Sequence, residues 1–538
     1  MILIASGAYL QGEFVSEVGL LPPSFLPIGN KRLLEYQVDF LRQGQPDEDV
    51  YLSVPATYQI DLFDEQHLTK LGVEIIRVPD GLSLGDSILF CWNACAKQYH
   101  TLTILHGDTL FLNAVFCTDN GISIHANYGF YQRATLGANC ETLEKLHDDW
   151  SSNSDQVISG FFHFCRPLTF MKSLVEARSD FIKAIVNYDQ IHPFQLIKQG
   201  DWLDFGHINS FFHSRTKMTT QRVFNELKMT SRLISKSSKD NTKKIFAEGS
   251  WFANIPMELK LYTPTLLGLD KGSKDYQSAS YQLEYLYLLP LSDLYVFSHL
   301  SADLWHTIFN AISGMLNDFA CYRPKKNEVK AIDELNGLYL PKTLERLSEY
   351  AKKSGYDLTK TYQIDDINQV SLIDIAELSS IHIRPIRPED VAISHGDLCF
   401  SNILFDARVG AVKCIDPRGI SPSGECTIYG DRRYDLAKLY HSVIGLYDFI
   451  IAGRFDYQNH SQTQDLEIQQ NVSVFPKVVN SFKDLVLKPS GYSEKEILAI
   501  TIHLFLSMLP LHSDRPERQK AFIANSIRLY KLFKEIKE

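Results

Sequence analysis

The sequence predicts an α/β protein with a doubly wound sheet at its N-terminal end, a short mixed segment and a mostly helical C-terminal part. Its 538 residues suggest about three or four packing units, at roughly 100–200 residues per domain. Short β-rich apolar runs alternate with helical patterns over residues 1–115, which favours a parallel sheet covered by helices. Amphipathic helical patterns dominate from residue 300 onward, which favours a helical core there.

The N-terminal part begins with four apolar runs of the length of buried strands: MILIAS, DVYLSV, VEIIRVP and LTILHGD. Between the first two, NKRLLEYQVDFLRQ places its apolar residues on one helical face: Leu33, Leu34, Val38 and Leu41. Ligands bind at the carboxyl ends of strands in such sheets, and Asp108 follows LTILHG at one of these ends. The runs VISGFFHF and DWLDFGHINSFFHSR complete this part, for which we predict the bounds 1–215.

The remaining chain is predicted to form two further parts, over residues 216–295 and 296–538. Within the first of these, residues 228–244 are polar and basic, which indicates a linker or an exposed hairpin. The second part opens with a helix capped by Ser301, and the apolar stripe of that helix is Leu304, Trp305, Ile308, Phe309 and Ile312.

Composition and charge exclude several classes of protein. A net charge of −10 gives no general affinity for nucleic acid. No run reaches the roughly 18–20 apolar residues of a membrane span, and MILIASGAYL lacks the basic lead-in of a signal peptide. The nine cysteines are scattered without a CxxC pair, which indicates reduced thiols. We therefore expect a cytoplasmic protein without a nucleic-acid partner or a membrane span, and whether it forms a homo-oligomer stays open.

Three polar residues with the chemistry of phosphoryl transfer lie in the segment 393–419, ISHGDLCFSNILFDARVGAVKCIDPRG. Asp397 precedes Asn402 by five residues, and Asp416 follows fourteen residues later at the end of a short strand. Phosphoryl transfer needs a carboxylate that accepts the proton of the attacking hydroxyl, and oxygen ligands that hold Mg²⁺ on the phosphates. The order and spacing of these residues therefore predict a catalytic loop followed by a metal-binding strand.

HGDLCFSNILF, IDPRG and the following GDRRYDLAKLYHS resemble the catalytic motifs of the aminoglycoside phosphotransferase and choline kinase superfamily. The resemblance implies a bilobal, protein-kinase-like fold that uses ATP as phosphoryl donor together with Mg²⁺. It implies Asp397 as the catalytic base, Asn402 and Asp416 as the Mg²⁺ ligands, and Asp431 and Asp435 as supporting residues.

The same resemblance implies a kinase N-lobe over residues 216–295, followed by the C-lobe. That N-lobe needs a strand lysine on the nucleotide phosphates and a helical glutamate that orients it. Lys236 and Glu248 have a suitable spacing for this nucleotide-binding pair, although Lys243 and Lys244 compete with Lys236. A solvated basic loop is the competing interpretation. The run YQLEYLYLLPL, which ends at residue 291, suits the connection between the lobes or an ordinary core strand.

Three arginines, Arg418, Arg432 and Arg433, follow the predicted metal-binding strand closely. Arginine binds carboxylate and phosphate groups through two parallel hydrogen bonds, so these side chains are candidates for contact with a substrate anion. Ion pairing at the protein surface explains them equally well, and both interpretations stay open.

The N-terminal part resembles the sugar-phosphate nucleotidyltransferases in LPPSFLPIGNKRLLEYQVDFL, LTILHGDTLF, VISGFFHF and DWLDFGHINSF. The resemblance implies that Asp108 and Asp204 hold Mg²⁺ between a nucleoside triphosphate and an acceptor phosphate, with Gly160 near the sugar. A metal is needed there because the attack brings phosphate anions together. The resemblance also implies nucleotide contacts at Gly7 in the opening loop and at Gly81 in GLSLGDS.

The opening loop departs from that family's pattern. The family's loop carries cations for the triphosphate, whereas this chain has no lysine or arginine before Lys31. Pro23 stands at the family's lysine position, and His207 stands where threonine is usual. This part therefore either supports the chemistry differently or binds a ligand without turnover.

Together the two resemblances predict a two-step activation of a small hydroxyl compound, such as a sugar, a polyol or an amino alcohol. The kinase phosphorylates this substrate with ATP, and the N-terminal part then joins the phosphate to a second nucleotide, for which CTP suits an alcohol phosphate. Products of this kind feed bacterial capsule or lipopolysaccharide biosynthesis. The alternative hypothesis keeps only the kinase, with a silent N-terminal part that serves binding or recruitment. A third hypothesis makes both parts a non-catalytic scaffold.

Overall fold

The computed structural model describes residues 1–113, 119–126, 156–219, 226–230, 232–238, 241–271, 279–325, 332–364, 368–459, 464–468 and 474–537. The chain divides into two compact units, Met1–Met218 and Thr219–Glu538, which we call unit 1 and unit 2. Both units combine helices with sheets, so the predicted α/β class is confirmed.

The described strands of unit 1 are β1 (Ile2–Ala5), β2 (Pro27–Ile28), β3 (Lys31–Arg32), β4 (Val50–Pro55), β5 (Val73–Val78), β6 (Leu102–His106), β7 (Thr109–Leu112), β8 (Gly121–Ala126), β9 (Gln156–Phe164), β10 (Gln195–Ile197) and β11 (Asp201–Asp204). The main sheet has the order β10-β8-β9-β6-β1-β4-β5. Strands β6, β1, β4 and β5 run parallel, as predicted. Strand β9 runs antiparallel to both of its neighbours, so the sheet is mixed rather than purely parallel. Its direction depends on how the chain returns after β8, which periodicity does not reveal.

The described helices of unit 1 are α1 (Glu13–Val18), α2 (Leu33–Gly44), α3 (Leu62–Lys70), α4 (Leu84–Ala94), α5 (Pro167–Glu176), α6 (Phe181–Asp189) and α7 (Ile208–Thr219). The four apolar residues predicted for one face of α2 are all buried. Strand β4 is buried at every position, as expected for a strand covered on both faces.

The described strands of unit 2 are β12 (Glu226–Met229), β13 (Leu233–Ser238), β14 (Leu266–Asp270), β15 (Ala279–Glu284), β16 (Leu289–Pro290), β17 (Thr361–Gln363), β18 (Gln369–Ser371), β19 (Val391–Ile393), β20 (Ile403–Asp406), β21 (Ala411–Cys414), β22 (Tyr429–Asp431), β23 (Phe455–Asn459) and β24 (Gln464–Ile468). An antiparallel sheet of order β12-β13-β15-β14 opens the unit. Much of the segment considered a linker or an exposed hairpin lies in this sheet, as the hairpin β12–β13. The chain leaves the sheet after β15 and enters a second sheet, β16-β20-β21, so the run 281–291 connects two parts of unit 2.

The described helices of unit 2 are α8 (Thr242–Asn254), α9 (Leu291–Phe297), α10 (Ala302–Ala320), α11 (Ile332–Asn336), α12 (Leu340–Ser354), α13 (Leu372–Ser380), α14 (Arg432–Val443), α15 (Tyr447–Ile451), α16 (Phe475–Phe482), α17 (Lys488–Ser490), α18 (Glu494–Met508) and α19 (Pro516–Glu535). Ser301 caps α10 as predicted, because its hydroxyl accepts a hydrogen bond from the Leu304 amide. The predicted stripe of α10 is buried except at Leu304, which is half-buried.

Residues Glu494–His512, which begin with α18, are long and apolar enough to cross a membrane by length and composition. The protein itself buries 78% of this stretch. A central core helix of a water-soluble domain has the same properties, and α18 contacts α12, α13, α14 and α19. Burial inside unit 2 therefore accounts for the apolar composition of α18.

Candidate active sites

A buried ion pair joins the first sheet of unit 2 to the helix that packs on it. The Nζ of Lys236, on β13, lies 2.6 Å from the Oε2 of Glu248, on α8. The Tyr281 hydroxyl on β15 donates a hydrogen bond of 3.1 Å to the same Oε2. Lys236 Nζ also lies 3.3 Å from the Oδ1 of Asp416. The structure thus brings together the predicted lysine and glutamate and adds one of the predicted metal ligands.

Charge and burial explain how this pair is held. Burial favours loss of the proton from Lys236, but the carboxylates of Asp416 and Glu248 outweigh it and raise the pKa of the lysine. Burial also raises the pKa of Glu248. The competing Lys244 is largely exposed, and its Nζ is 3.9 Å from Glu248 Oε1. The 2.6 Å contact favours Lys236 for the role of the phosphate-binding lysine.

The predicted catalytic loop follows β19 and is fixed by one buried carboxylate. Asp435, in the first turn of α14, accepts hydrogen bonds of 2.8 Å from the Ser394 hydroxyl and from the amides of His395 and Gly396. The indole of Trp251 on α8 donates a 3.0 Å bond to the Ser394 carbonyl. The loop is therefore tied both to α14 and to the helix that carries Glu248.

The carboxylate of Asp397 lies beside a lysine that the sequence analysis did not identify. Lys438 Nζ, on α14, is 2.8 Å from Asp397 Oδ1, and the Asn402 amide donates a 2.8 Å bond to the Asp397 carbonyl. Burial by itself would raise the pKa of Asp397, but Lys438, Arg418 and His395 hold it well below its usual range. The Asp397 side chain keeps 42% of its surface exposed. The nearby cations therefore outweigh burial and determine the direction of its pKa shift. These cations favour the ionised carboxylate of Asp397.

Lys438 was recognisable in principle, because it lies three residues after Asp435 in the GDRRYDLAKLYHS motif. Residues three apart in a helix share a face, so a lysine at that spacing reaches the loop that Asp435 holds. Nothing in the sequence shows that the distance to Asp397 is short.

The donor set around Asn402 and Asp416 fits Mg²⁺. Asn402 directly precedes β20, Asp416 follows β21, and the Ile415 amide donates to the Asn402 carbonyl at 2.9 Å, so the two residues are close neighbours. Because the side-chain nitrogen of Asn402 donates to the Asp397 carbonyl, its side-chain oxygen is the atom that could bind a metal ion. Amide and carboxylate oxygens are the ligands Mg²⁺ prefers, and it keeps water and phosphate oxygens as the others. Asp416 has a left-handed backbone with φ of 56°, uncommon for a residue other than glycine.

The supporting residue Asp431 belongs to a separate buried network. Arg433 contacts Asp431 Oδ2 at 2.8 Å and Glu496 Oε1 at 2.6 Å, with its side chain fully buried. Asp431 also caps α14 by accepting from the Arg433 amide. This network joins α14 to α18 and engages the guanidinium of Arg433 with the two carboxylates.

In unit 1 the predicted metal ligands Asp108 and Asp204 lie next to one another. Strands β7 and β11 pair antiparallel with Asp204 opposite Thr109, and the Phe205 amide donates to the Asp108 carbonyl at 2.8 Å. A Cβ on Gly206 would lie 2.3 Å from Asp108 Oδ2 and 3.4 Å from Asp204 Oδ1. The two carboxylates therefore flank Gly206, and their oxygens fit a hard divalent cation.

The glycines predicted to lie near the nucleotide or the sugar in unit 1 have three different environments. A side chain at Gly7 would collide with Val78 and Ser87, so tight packing requires this glycine. Gly81 has φ of 81° in the turn before α4, and a Cβ there would meet no other atom within 4 Å. Gly160 has φ of 90° and lies against His106 and Thr109.

The first two cations of unit 1, Arg32 and Lys31, lie in different environments. Arg32 is buried, bonded to Asp64 Oδ2 at 2.9 Å and to the Phe25 carbonyl at 2.8 Å. Lys31 is about half exposed and lies 4.0 Å from Glu35. Arg32 is thus committed to the fold of unit 1.

Comparison with known proteins adds solved structures of two kinds. No family model and no curated protein matches the chain. A nucleoside-diphosphate-sugar pyrophosphorylase from Vibrio cholerae is 15% identical, over 41% of this chain and 100% of its own, with a TM-score of 0.34. An inositol-1-phosphate CTP transferase from T. maritima is 17% identical, over 40% of this chain and 94% of its own, with a TM-score of 0.32.

An aminoglycoside-3'-phosphotransferase of type VIII is 16% identical, over 55% of this chain and 99% of its own, with a TM-score of 0.32. The neighbours thus include nucleotidyltransferases and phosphotransferases, and the two kinds cover different parts of the chain.

Proposed function

We propose that unit 2 is an ATP- and Mg²⁺-dependent kinase of a small hydroxyl compound. The observation that carries this proposal is the convergence of Asp397, Asn402, Asp416 and the Lys236–Glu248 pair within one unit. Lys236 would hold the nucleotide phosphates while Glu248 orients it. Mg²⁺, held by Asn402 and Asp416, would neutralise charge on the phosphates.

In this reaction Asp397 accepts the proton of the acceptor hydroxyl. The hydroxyl oxygen forms a bond to the γ-phosphorus of ATP, the bond from that phosphorus to the β–γ bridging oxygen breaks, and ADP leaves. The low pKa of Asp397 supports the ionised state that this step requires. The geometry supports phosphorylation of an alcohol and leaves the remainder of the acceptor to be identified.

We further propose that unit 1 transfers a nucleotidyl group to the phosphate that unit 2 attaches. The neighbouring carboxylates of Asp108 and Asp204 support a metal-assisted reaction between two phosphate groups. We propose CTP as the nucleotide that reacts with an alcohol phosphate. We also propose that the reaction takes place in the cytoplasm and serves bacterial capsule or lipopolysaccharide biosynthesis. The second candidate function is that of a kinase whose unit 1 is catalytically silent. The bond between Arg32 and Asp64 favours this candidate, because it commits an early cation of unit 1 to the fold.

Phosphorus NMR on the full-length protein tests these proposals. The protein is incubated with Mg²⁺, ATP, CTP and a panel of sugars, polyols and amino alcohols. A new phosphomonoester, a diphosphate-linked nucleotide and pyrophosphate together would support both activities. A phosphomonoester alone, with each nucleoside triphosphate in turn, would support the silent unit 1. No transfer to any acceptor, with ATP bound, would favour the scaffold hypothesis.

A further inference from the structure

A small, partly open cleft lies directly beside the catalytic loop of unit 2. Its lining includes Gly396, which precedes Asp397, together with Arg418, Ser421, Thr427 and Tyr434. Arg418 crosses this cleft next to the loop: its amide donates to the His395 carbonyl at 2.8 Å, and its guanidinium lies over the Tyr434 ring at 4.8 Å. The position suits contact with the part of an acceptor that lies next to its reacting hydroxyl.

The guanidinium of Arg418 has hydrogen-bonding capacity to spare. It donates a 3.0 Å bond to the Tyr434 hydroxyl, and within the described ranges no carboxylate lies in ion-pair distance of it. The other two arginines of this segment are placed differently. Arg433 is buried against Asp431 and Glu496, and Arg432 lies over the Tyr492 ring at 5.8 Å in a different cleft. The structure therefore distinguishes Arg418 from its two neighbours in sequence.

Further cations act on Tyr434, whose side chain lines this cleft. Lys438 lies beside Asp397, and α12 contributes Lys342 and Arg346 one turn apart. Tyr434 favours the charged form of Lys342, but burial together with Arg418, Lys438 and Arg346 lowers the pKa of this lysine. Burial raises the pKa of Tyr434, but Arg418, Lys438 and Lys342 lower it to about 8. Both shifts indicate a positive potential around the Tyr434 ring.

The neighbouring carboxylates are already engaged. Asp397 lies against Lys438, Asp431 pairs with Arg433, and Asp435 accepts three hydrogen bonds from the catalytic loop. Arg418 and Lys342 thus form no ion pair with a carboxylate in the part of the chain that the structure describes. A cleft with this balance of charge disfavours a cationic ligand and favours an anionic one.

Resting on the kinase function proposed above, we propose that the acceptor of unit 2 carries an anionic group, which binds Arg418 in the cleft beside Asp397. A carboxylate and a phosphate share the required chemistry, because both accept two parallel hydrogen bonds from a guanidinium. The acceptor class is therefore a hydroxy acid or a phosphorylated polyol, rather than a neutral polyol or an amino alcohol.

The test uses the full-length protein with Mg²⁺ and four small probes: glycerol, ethanolamine, glycerate and glycerol phosphate. ADP release with ATP gives kcat and KM, and calorimetry with a non-hydrolysable ATP analogue gives binding. Arg418→Gln removes the charge and keeps a polar side chain, and Arg432→Gln is the matched control from the other cleft. Glycerate and glycerol phosphate distinguish a carboxylate from a phosphate as the bound anion.

We expect turnover of an anionic probe, with its KM raised about 10- to 100-fold in Arg418→Gln, as for loss of a hydrogen bond to a charged group. The KM for ATP should stay unchanged, and Arg432→Gln should behave as wild type. Preferential turnover of glycerol or ethanolamine would overturn the inference, as would a raised KM for ATP in Arg418→Gln. If no probe turns over but an anion binds in an Arg418-dependent manner, the kinase proposal fails and the anion site stands. If neither turnover nor preferential anion binding occurs, the inference is wrong.

Discussion

Asp397 is the residue on which the proposed kinase chemistry depends most directly. We predict that Asp397→Asn lowers kcat by about 10²- to 10⁴-fold, the usual contribution of a general base, because an amide does not accept the hydroxyl proton. Calorimetry should show ATP binding unchanged, since Lys236 and Asp416 remain. Asp406→Asn, in the hairpin between β20 and β21, is the matched control and should keep full activity. Equal losses in both variants would contradict the role of Asp397.

Lys438 sets the ionisation of Asp397, and this has a consequence for pH dependence. The pKa of Asp397 lies below its usual range because nearby cations, of which Lys438 contributes most, stabilise the carboxylate. In Lys438→Met that pKa rises, so the acid limb of the kcat profile should move to higher pH. The control Lys352→Met replaces an exposed lysine on α12. A profile that stays in place in Lys438→Met would show that another group controls the acid limb.

Sequence reasoning succeeded where neighbours in sequence carry the chemistry and failed where the fold brings distant residues together. The spacing of Lys236 and Glu248 was sufficient to propose their pairing, because a strand and the next helix form one local unit. Lys438 was missed, because its approach to Asp397 depends on how α14 packs against the catalytic loop. The three arginines looked alike in sequence and differ only through burial and contacts.

At the scale of elements, the pairing of β7 with β11 brings Asp108 and Asp204 together at Gly206. We predict that Gly206→Ala abolishes nucleotidyl transfer, because its Cβ would lie 2.3 Å from Asp108 Oδ2 and must displace that carboxylate. Phosphomonoester formation by unit 2 should continue. Gly314→Ala on α10 is the control, since a Cβ there meets nothing within 4 Å and alanine favours a helix by about 0.5–1 kcal/mol. Full nucleotidyl transfer by Gly206→Ala would contradict the metal-site proposal.

The contact between α14 and α18 depends on a buried charge network. Arg433 has buried contacts to Asp431 and Glu496, so its removal takes the nearest cation from both carboxylates and leaves Glu496 with Arg384 at 3.8 Å. We predict that Arg433→Met lowers the free energy of unfolding by about 3–5 kcal/mol, as measured by urea denaturation. Arg387→Met, which removes an exposed pair with Glu389, should cost about 0–1 kcal/mol. A small effect of Arg433→Met would mean that the network contributes little to stability.

The element scale also shows which parts of the fold the sequence determines. The apolar periodicity located α2 and α10 and the strands β1, β4, β5 and β6, because burial on one or both faces leaves a regular pattern. The reversed direction of β9 leaves no such pattern, since an antiparallel and a parallel strand bury the same residue types. The polar segment that became β12 and β13 was ambiguous because its strands are only half-buried.

At the scale of the whole molecule, the reactions proposed for the two units share one intermediate. If unit 2 makes a phosphomonoester and unit 1 consumes it, each step can be removed separately. Asp397→Asn should lose phosphorylation but still transfer a nucleotidyl group to an added phosphomonoester. Asp108→Asn should accumulate the phosphomonoester and release no pyrophosphate. Phosphorus NMR distinguishes the phosphomonoester from the diphosphate-linked product directly.

The decisive experiment mixes these two variants. When both steps are real, a mixture of Asp397→Asn and Asp108→Asn should regain the diphosphate-linked product, because the phosphomonoester released by one molecule can diffuse to the other. Single variants incubated alone provide the control. If unit 1 is silent, Asp108→Asn will match the wild-type protein and the mixture will yield only phosphomonoester, which leaves binding or recruitment as the role of unit 1. The result separates the two functions without requiring the pathway to be known, since each step is identified by its own phosphorus product.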